Sequence, residues 1–280
     1  MFSFNKKILN NIISSFYLFF FTILLLPTTA KANANNILSH LQQAYPNDIQ
    51  SVNENYITWQ DGTRMAIGEK NTNKSMQEKL DFTTLFDQLN DAPYPMGKPV
   101  DFAHFKPVSD PGRVRYTPFF MKMYGQTATE VKSKLTTIYW MEHSFGKKYP
   151  LQVTTVNAIN EKLMLISDEL ELLVKRHPEF LRFLENPGGT FLWRNIKNTH
   201  RLSVHSFGIA IDINSQLSNY WQTDLQKAHK PVSENTKLIY KNNVPWEIVE
   251  IFEKHGFIWG GKWYHYDTMH FEYRPELLVK

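Results

Sequence analysis

No cysteine occurs anywhere in the 280 residues. That excludes disulfide staples and any metal site built on thiolates, so a metal here must be held by nitrogen and oxygen donors. Net charge is also scarce once the N-terminus is set aside. Residues 1–32 hold Lys6, Lys7 and Lys31 and no acid, and the rest of the chain carries 28 basic against 27 acidic side chains. The pI near 9.0 therefore owes much to the leader, and the balance gives no argument for nucleic acid or for a strongly charged partner. Long apolar runs are few. Ile12 to Leu26 is a run of 15 residues interrupted by Ser14, Ser15 and Thr22, short for a membrane span of about 20 residues. Lys6 and Lys7 precede it, Pro27 breaks it, and Ala30-Lys31-Ala32 has the small-x-small form of a cleavage site. Residues 1–32 read as a secretory signal peptide, with an uncleaved anchor as the alternative. The expectation is an exported protein, periplasmic or extracellular. No second run of spanning length follows, so no stable membrane insertion is expected once the leader is removed. There is no internal repeat and no long low-complexity segment; the sequence does not fix the oligomeric state, and a monomer is the expectation.

The 248 residues after residue 32, with 14% aromatics in the whole chain, can bury a full core without staples. Residues 33–109 read as an N-terminal extension or cleft-bordering segment. Ile37 to Ala44 suits a short helix. Tyr56 to Trp59 and Arg64 to Ile67 flank Asp61-Gly62 and read as a hairpin. Ser75 to Leu89 reads as a helix, and the proline-rich stretch from Asp91 to Asp110 as extended chain on the surface. From residue 110 the pattern tightens. Pro118 to Tyr124 and Thr127 to Leu135 read as helices, the second with Thr127 as cap and Glu130 three residues on. Thr136 to Met141 reads as a strand. Val156 to Val174 has apolar residues at 156, 159, 163, 166, 170 and 173, the spacing of one helix face. Thr190 to Trp193 reads as a strand, residues 215–243 as a polar insertion near the rim of a cleft, and Pro245 to His255 as a helix stopped by Gly256.

Two short runs hold the chemistry. The first is Ser203-Val204-His205-Ser206-Phe207-Gly208-Ile209-Ala210-Ile211-Asp212, and the second is Asp267-Thr268-Met269-His270-Phe271-Glu272-Tyr273. In a strand, successive side chains point to opposite faces, so Asp212 turns away from Ile209, Ile211 and Ile213, and His270 shares a face with Glu272. His205 sits on the loop that feeds the first strand. Two imidazoles and a carboxylate make the three-ligand set of a catalytic zinc site, which keeps a fourth position for water. His205, Asp212 and His270 are therefore the expected Zn2+ ligands. Asp267, at the turn entering the second strand, is placed to act as the base. Glu272 is either a partner that orients a ligand histidine or a strand-edge charge. His200, His229, His255 and His265 are read as non-ligands, and Lys262 and Tyr266 are left without a role.

The pattern S-x-H-x-x-G-x-A-x-D followed by D-x-x-H-F-E resembles the M15 family of zinc peptidases, the D-alanyl-D-alanine carboxypeptidases and L-alanyl-D-glutamate endopeptidases of bacterial cell walls. Gly256 to Trp263 resembles that family's G-F-x-W-G-G-x-W segment. The resemblance is strong from about Gly189 to Leu278. It implies a D-Ala-D-Ala peptidase/hedgehog-like fold, with residues 110–280 as the catalytic domain. Asp267 with Phe271-Glu272 looks more like the endopeptidase branch, since carboxypeptidase-type members usually carry Glu as base. The family also uses an upstream Arg to stabilise the oxyanion; Arg194 matches its position best, with Arg201 the rival. Ser203, Trp259 and Trp263 are candidate substrate-binding residues, the two tryptophans being otherwise core.

The expected fold is α+β, with a small, mainly antiparallel sheet carrying the ligands and helices packed on one side. The expected activity is zinc-dependent cleavage of peptidoglycan stem peptides by a protein associated with the cell wall. D-alanyl-D-alanine carboxypeptidase or dipeptidase activity stays open as an alternative. So does a non-catalytic zinc-containing module that binds peptidoglycan.

Overall fold

A computed structural model describes residues 38–71, 73–90, 93–98 and 110–279; the leader read at residues 1–32 and most of the extended stretch read from Asp91 to Asp110 lie outside them. A helix covers residues 38–44. It is followed by a three-stranded antiparallel sheet of β1 (Ile49–Val52), β2 (Tyr56–Trp59) and β3 (Arg64–Ala66) in the order β1-β2-β3. The β2–β3 hairpin is the one expected at Asp61-Gly62. Asp61 Oδ1 accepts from the Thr63 amide and hydroxyl and fixes the turn. The helix expected over Ser75–Leu89 is instead two short ones, α1 (Met76–Asp81) and α2 (Leu85–Leu89). Each begins with its own capping box, Ser75 with Glu78 and Thr84 with Asp87. A second hydroxyl cap inside the stretch offers the backbone a restart, and the chain takes it.

This N-terminal part shares its core with the rest. Leu41, Ile57 and Trp59 belong to the same buried cluster as Phe119, Phe252 and Phe271. Tyr45 donates to Glu276 Oε2 at 2.8 Å, and Tyr94 donates to Glu253 Oε1 at 2.5 Å. Lys262, fully buried, donates to the carbonyls of Pro95 and Gly97 at 2.6 and 3.0 Å and pairs with Glu253 at 2.5 Å. The residue left without a role in the sequence is thus a clamp on residues 93–98.

Beyond residue 110 come α3 (Thr117–Tyr124), closed at Gly125, and α4 (Ala128–Lys132), capped by Thr127. Next, β4 (Leu135–Trp140) pairs antiparallel with β5 (Tyr149–Thr154). This is a two-stranded sheet, so both strands are edges and Pro150 is tolerated in β5. The long helix is α5 (Ile159–Arg176). Its expected first turn is a 3-10 turn in which Asn157 and Ala158 take positive φ. Ile159, Leu163, Ile166 and Leu170 are fully buried, as the periodicity requires. After α6 (Leu181–Leu184), the strand expected over Thr190–Trp193 does not form. Only Gly189 bridges Asp212. The following amides turn to the segment that holds His205: Leu192 donates to the His205 carbonyl and Arg194 to Ser206 Oγ.

The sheet that carries the site follows. It comprises β6 (Ala210–Asp212), then, after α7 (Trp221–Lys227) and α8 (Trp246–Lys254), β7 (Phe257–Trp259) and β8 (His270–Tyr273), in the antiparallel order β6-β8-β7. The register sets Asp212 opposite His270 and Ile211 opposite Phe271. One face is apolar and packs on α8, with Phe271 stacked on Phe252 at 3.9 Å between ring centroids. The other face presents Asp212 and His270. The fold is α+β with small antiparallel sheets, as expected. The alternation of β8 decides which residues face the apolar layer: burying Phe271 there stabilises by about 2–3 kcal/mol, and a one-residue slip would turn His270 into that layer instead.

Candidate metal centre

His205 owes its position to a tight turn. Ser203 caps a 3-10 turn over Val204–Phe207, its hydroxyl accepting from the His205 amide at 3.4 Å. Gly208 ends the turn at φ 67°, and a Cβ there would lie 2.8 Å from Leu135 Cδ2 and 3.2 Å from the Thr154 amide. Only glycine meets both demands. The turn aims His205 Nε2 at Asp212 Oδ1, 3.2 Å away. From the paired strand, His270 Nδ1 reaches the same oxygen at 2.9 Å, and the two rings lie 5.2 Å apart. One donor atom from each of the three residues falls within 4.8 Å of the others.

The donor set fits a divalent cation such as zinc. The far nitrogen of each histidine faces an acceptor: His205 Nδ1 meets the Thr190 carbonyl at 3.2 Å, and His270 Nε2 meets Glu272 Oε2 at 3.0 Å. A proton on each far nitrogen leaves the near nitrogen's lone pair free for a metal. Glu272 is no strand-edge charge. It is fully buried and bonded by Arg115 Nε at 3.0 and 3.1 Å and by Arg274 Nη1 at 3.0 Å. Burial opposes its charge, but Arg115, His270 and Arg274 hold it well below the usual carboxylate range. Burial likewise opposes the charge of Asp212, and His205 and His270 overcome it. Without a metal, burial disfavours a charged His270, yet hydrogen bonds to Asp212 and Glu272 raise it to about 10.

Asp267 is the exception. Its Oδ1 is buried with no hydrogen-bond partner. Burial, and then the Asp212 carboxylate, push it up to about 7. It faces a cleft of about 1250 Å³ that His205, Asp212 and His270 also line. Tyr220, Trp221 and Glu234 bring the 215–243 segment to the same cleft, and Ser75, Met76 and Gln77 bring the N-terminal part.

The remaining expected site residues fall in different places. Trp263 lines the cleft, 5.7 Å from the His270 ring, with its Nε1 donating to the Pro111 carbonyl at 2.7 Å. Trp259 does not. It is 1% exposed, stacks on Phe271 and donates to the Thr268 carbonyl, so its expected substrate role gives way to a core role. Ser203 lines the cleft while its hydroxyl caps the His205 turn. Arg194 and Arg201 both line the cleft. Arg194 is exposed and bonds the Asn195 carbonyl at 3.4 Å; Arg201 is half-buried, and its Nε is buried without a partner.

Sequence reasoning missed Arg113, Arg115 and the group around His265. His265 Nδ1 lies 2.6 Å from Asp110 Oδ2, and its Nε2 lies 3.1 Å from the Glu234 carbonyl. Asp110, Glu234 and His265 have metal-like spacing. However, Arg113 bonds Asp110 at 3.0 Å and Glu234 at 2.6 and 2.7 Å. A guanidinium thus already pairs with both carboxylates, and the cluster is an ion-pair network as it stands. The Glu272 partnership was signalled by its place two residues after His270 on one strand face. Nothing local marked the arginines.

Residues 197–273 match the family model described as D-alanyl-D-alanine carboxypeptidase. No curated protein and no solved structure matches the chain. The matched segment contains Arg201, His205, Asp212, Asp267 and His270, and leaves Arg113, Arg115 and Arg194 outside it.

Proposed function

From the M15-family peptidase segment at residues 197–273 we propose that this protein is an exported zinc peptidase that cuts the stem peptides of peptidoglycan, as an endopeptidase of the L-Ala-D-Glu type. The observation that carries this reading is the convergence of His205, Asp212 and His270 within ligand distance, with the unpaired carboxyl of Asp267 in the same cleft. His205 Nε2, Asp212 Oδ1 and His270 Nδ1 would hold the ion. Zinc bound there supplies a Lewis acid that polarises the scissile carbonyl and acidifies water. Asp267, whose Oδ1 is free of hydrogen bonds, takes up a proton during attack and returns it to the leaving amine. A guanidinium, Arg194 or its rival Arg201, stabilises the oxyanion. Glu272 and Arg115 keep His270 in the tautomer that turns Nδ1 to the ion.

Aspartate as base, followed by Phe271-Glu272, supports the endopeptidase form. So does the cleft, whose volume of about 1250 Å³ exceeds that of most small-ligand pockets and leaves room for chain on both sides of the scissile bond. A second reading, loss of a terminal D-Ala, is favoured by the description of the matched family model. Purified muropeptides incubated with zinc-loaded protein decide between them by mass spectrometry of the fragments. Internal cleavage before D-Glu is the expected result. Release of D-Ala alone establishes the second reading, and no cleavage with stoichiometric zinc bound establishes a non-catalytic module. Export is tested by N-terminal sequencing of the envelope fraction, expected to begin at Asn33; a start at Met1 indicates an anchored form.

A further inference from the structure

Three guanidiniums meet at one end of the cleft. Arg113, Arg115 and Arg201 line a small pocket with Leu80, Ile196 and Leu202, and all three arginines also line the wide cleft that holds His205, Asp212 and His270. Two of the three are already neutralised. Arg113 pairs with Asp110 and Glu234, and Arg115 with Glu272. Arg201 forms no ion pair among the described residues, and its Nε is buried without a hydrogen bond. Its backbone is nonetheless held firmly. Ile196 donates to the Arg201 carbonyl at 2.8 Å, the Arg201 amide donates to Thr199 Oγ1 at 3.2 Å, and Asn195 and Leu202 form a bridge beside it. Burial, and then Arg113 and Arg115, pull Arg201 down to about 10.

A cation kept half-buried beside two others, with no ion pair among the described residues, is a costly arrangement for a fold to hold. It becomes favourable when an anion enters. The planar fork of Arg suits a carboxylate, which accepts two parallel hydrogen bonds. Arg201 lines the same cleft as His205, Asp212 and His270, so an anion held there lies in the cleft that carries the site. We infer that Arg201 is a specificity residue that binds a free carboxylate of the peptide substrate, with Arg113 and Arg115 shaping the positive pocket around it. This rests on the peptidase reading. The carboxylate has two possible sources: the C-terminus of the peptide, or a free carboxylate on a residue flanking the scissile bond.

The test combines a substitution with a change in substrate. Zinc-loaded wild-type protein, Arg201→Gln and Arg201→Lys are assayed on one muropeptide in three forms: unmodified, amidated at the C-terminus, and amidated at the internal carboxylate. A hydrogen bond between charged groups is worth about 1.5–3 kcal/mol, or about 10- to 100-fold. The wild type is expected to lose that factor in KM on one of the two amidated peptides, and that form identifies the source. Arg201→Gln should lose the same factor on the unmodified peptide and be indifferent to amidation; Arg201→Lys should recover part of it. Both variants should melt no lower than wild type, because the side chain forms no ion pair among the described residues. Equal losses in kcat on all three peptides would assign Arg201 to the oxyanion and overturn the inference, as would full sensitivity to amidation in Arg201→Gln. If no peptide is cut by any form, the peptidase reading fails. Equilibrium binding of the same three peptides to wild type and Arg201→Gln then still decides the carboxylate site: binding that the substitution leaves unchanged overturns it.

Discussion

Replacing Asp267 by Asn separates chemistry from architecture. The carboxyl has an ordinary value of 3.8 and is pushed up to about 7 by burial and then by Asp212. Asp267 Oδ1 has no hydrogen-bond partner to lose. A rise of that size means the fold withholds at most about 4 kcal/mol from the ionised form. Asp267 is partly exposed to the cleft and its charge is coupled to Asp212, so about 1–3 kcal/mol is the figure to expect. The sign follows from linkage. The unfolded chain ionises near 3.8 and the folded chain near 7, so zinc-free wild type loses stability as pH rises between those values. Asn carries no charge. Zinc-free Asp267→Asn should match wild type at pH 4 and be more stable by about 1–3 kcal/mol at pH 8, measured by urea unfolding at both. Turnover of the zinc-loaded variant should fall by about 10²–10⁴-fold, the contribution of a positioned base, while zinc content is unchanged. A variant that cuts peptide at near wild-type rates would refute the assignment. Glu272 could not take over without rearrangement, because His270, Arg115 and Arg274 already occupy its oxygens.

Three further outcomes follow from the same contacts. His205→Ala and His270→Ala should each lose most of the bound zinc and part of the stability that metal binding supplies; stoichiometric zinc by elemental analysis in both would remove them from the ligand set. Glu272→Gln should keep the fold but weaken zinc binding by about 10- to 100-fold, read by competition with a chelator, and unchanged affinity would reduce Glu272 to a packing role. Lys262→Met leaves Glu253 buried without its cation and should cost about 3–5 kcal/mol in urea unfolding, with Glu253→Gln restoring part of the loss; a neutral result would show that residues 93–98 do not depend on the clamp.

The convergence of His205, Asp212 and His270 was legible because the direction of each is fixed by its immediate neighbours. Strand alternation assigns Asp212 and His270 to the polar face, and a capped turn ended by Gly208 presents His205. The long stripe of α5 and the β2–β3 hairpin were legible for the same reason, since their signals span a few residues. The Thr190–Trp193 strand failed because its amides had a better offer from the His205 segment, which local pattern does not reveal. Trp259 and Trp263 look equivalent in sequence. Both are buried, and only the folded chain around Gly260–Lys262 brings Trp263 alone to the cleft wall. Arg115 meets Glu272 across 157 positions, and Arg201 joins Arg113 and Arg115 at one pocket only because the chain folds back on itself. The sequence by itself determined the directions of His205, Asp212 and His270, since spacing over a few residues sets where a side chain points. Tertiary structure alone decided what surrounds them, since convergence of distant charges depends on how elements pack and leaves no periodic trace.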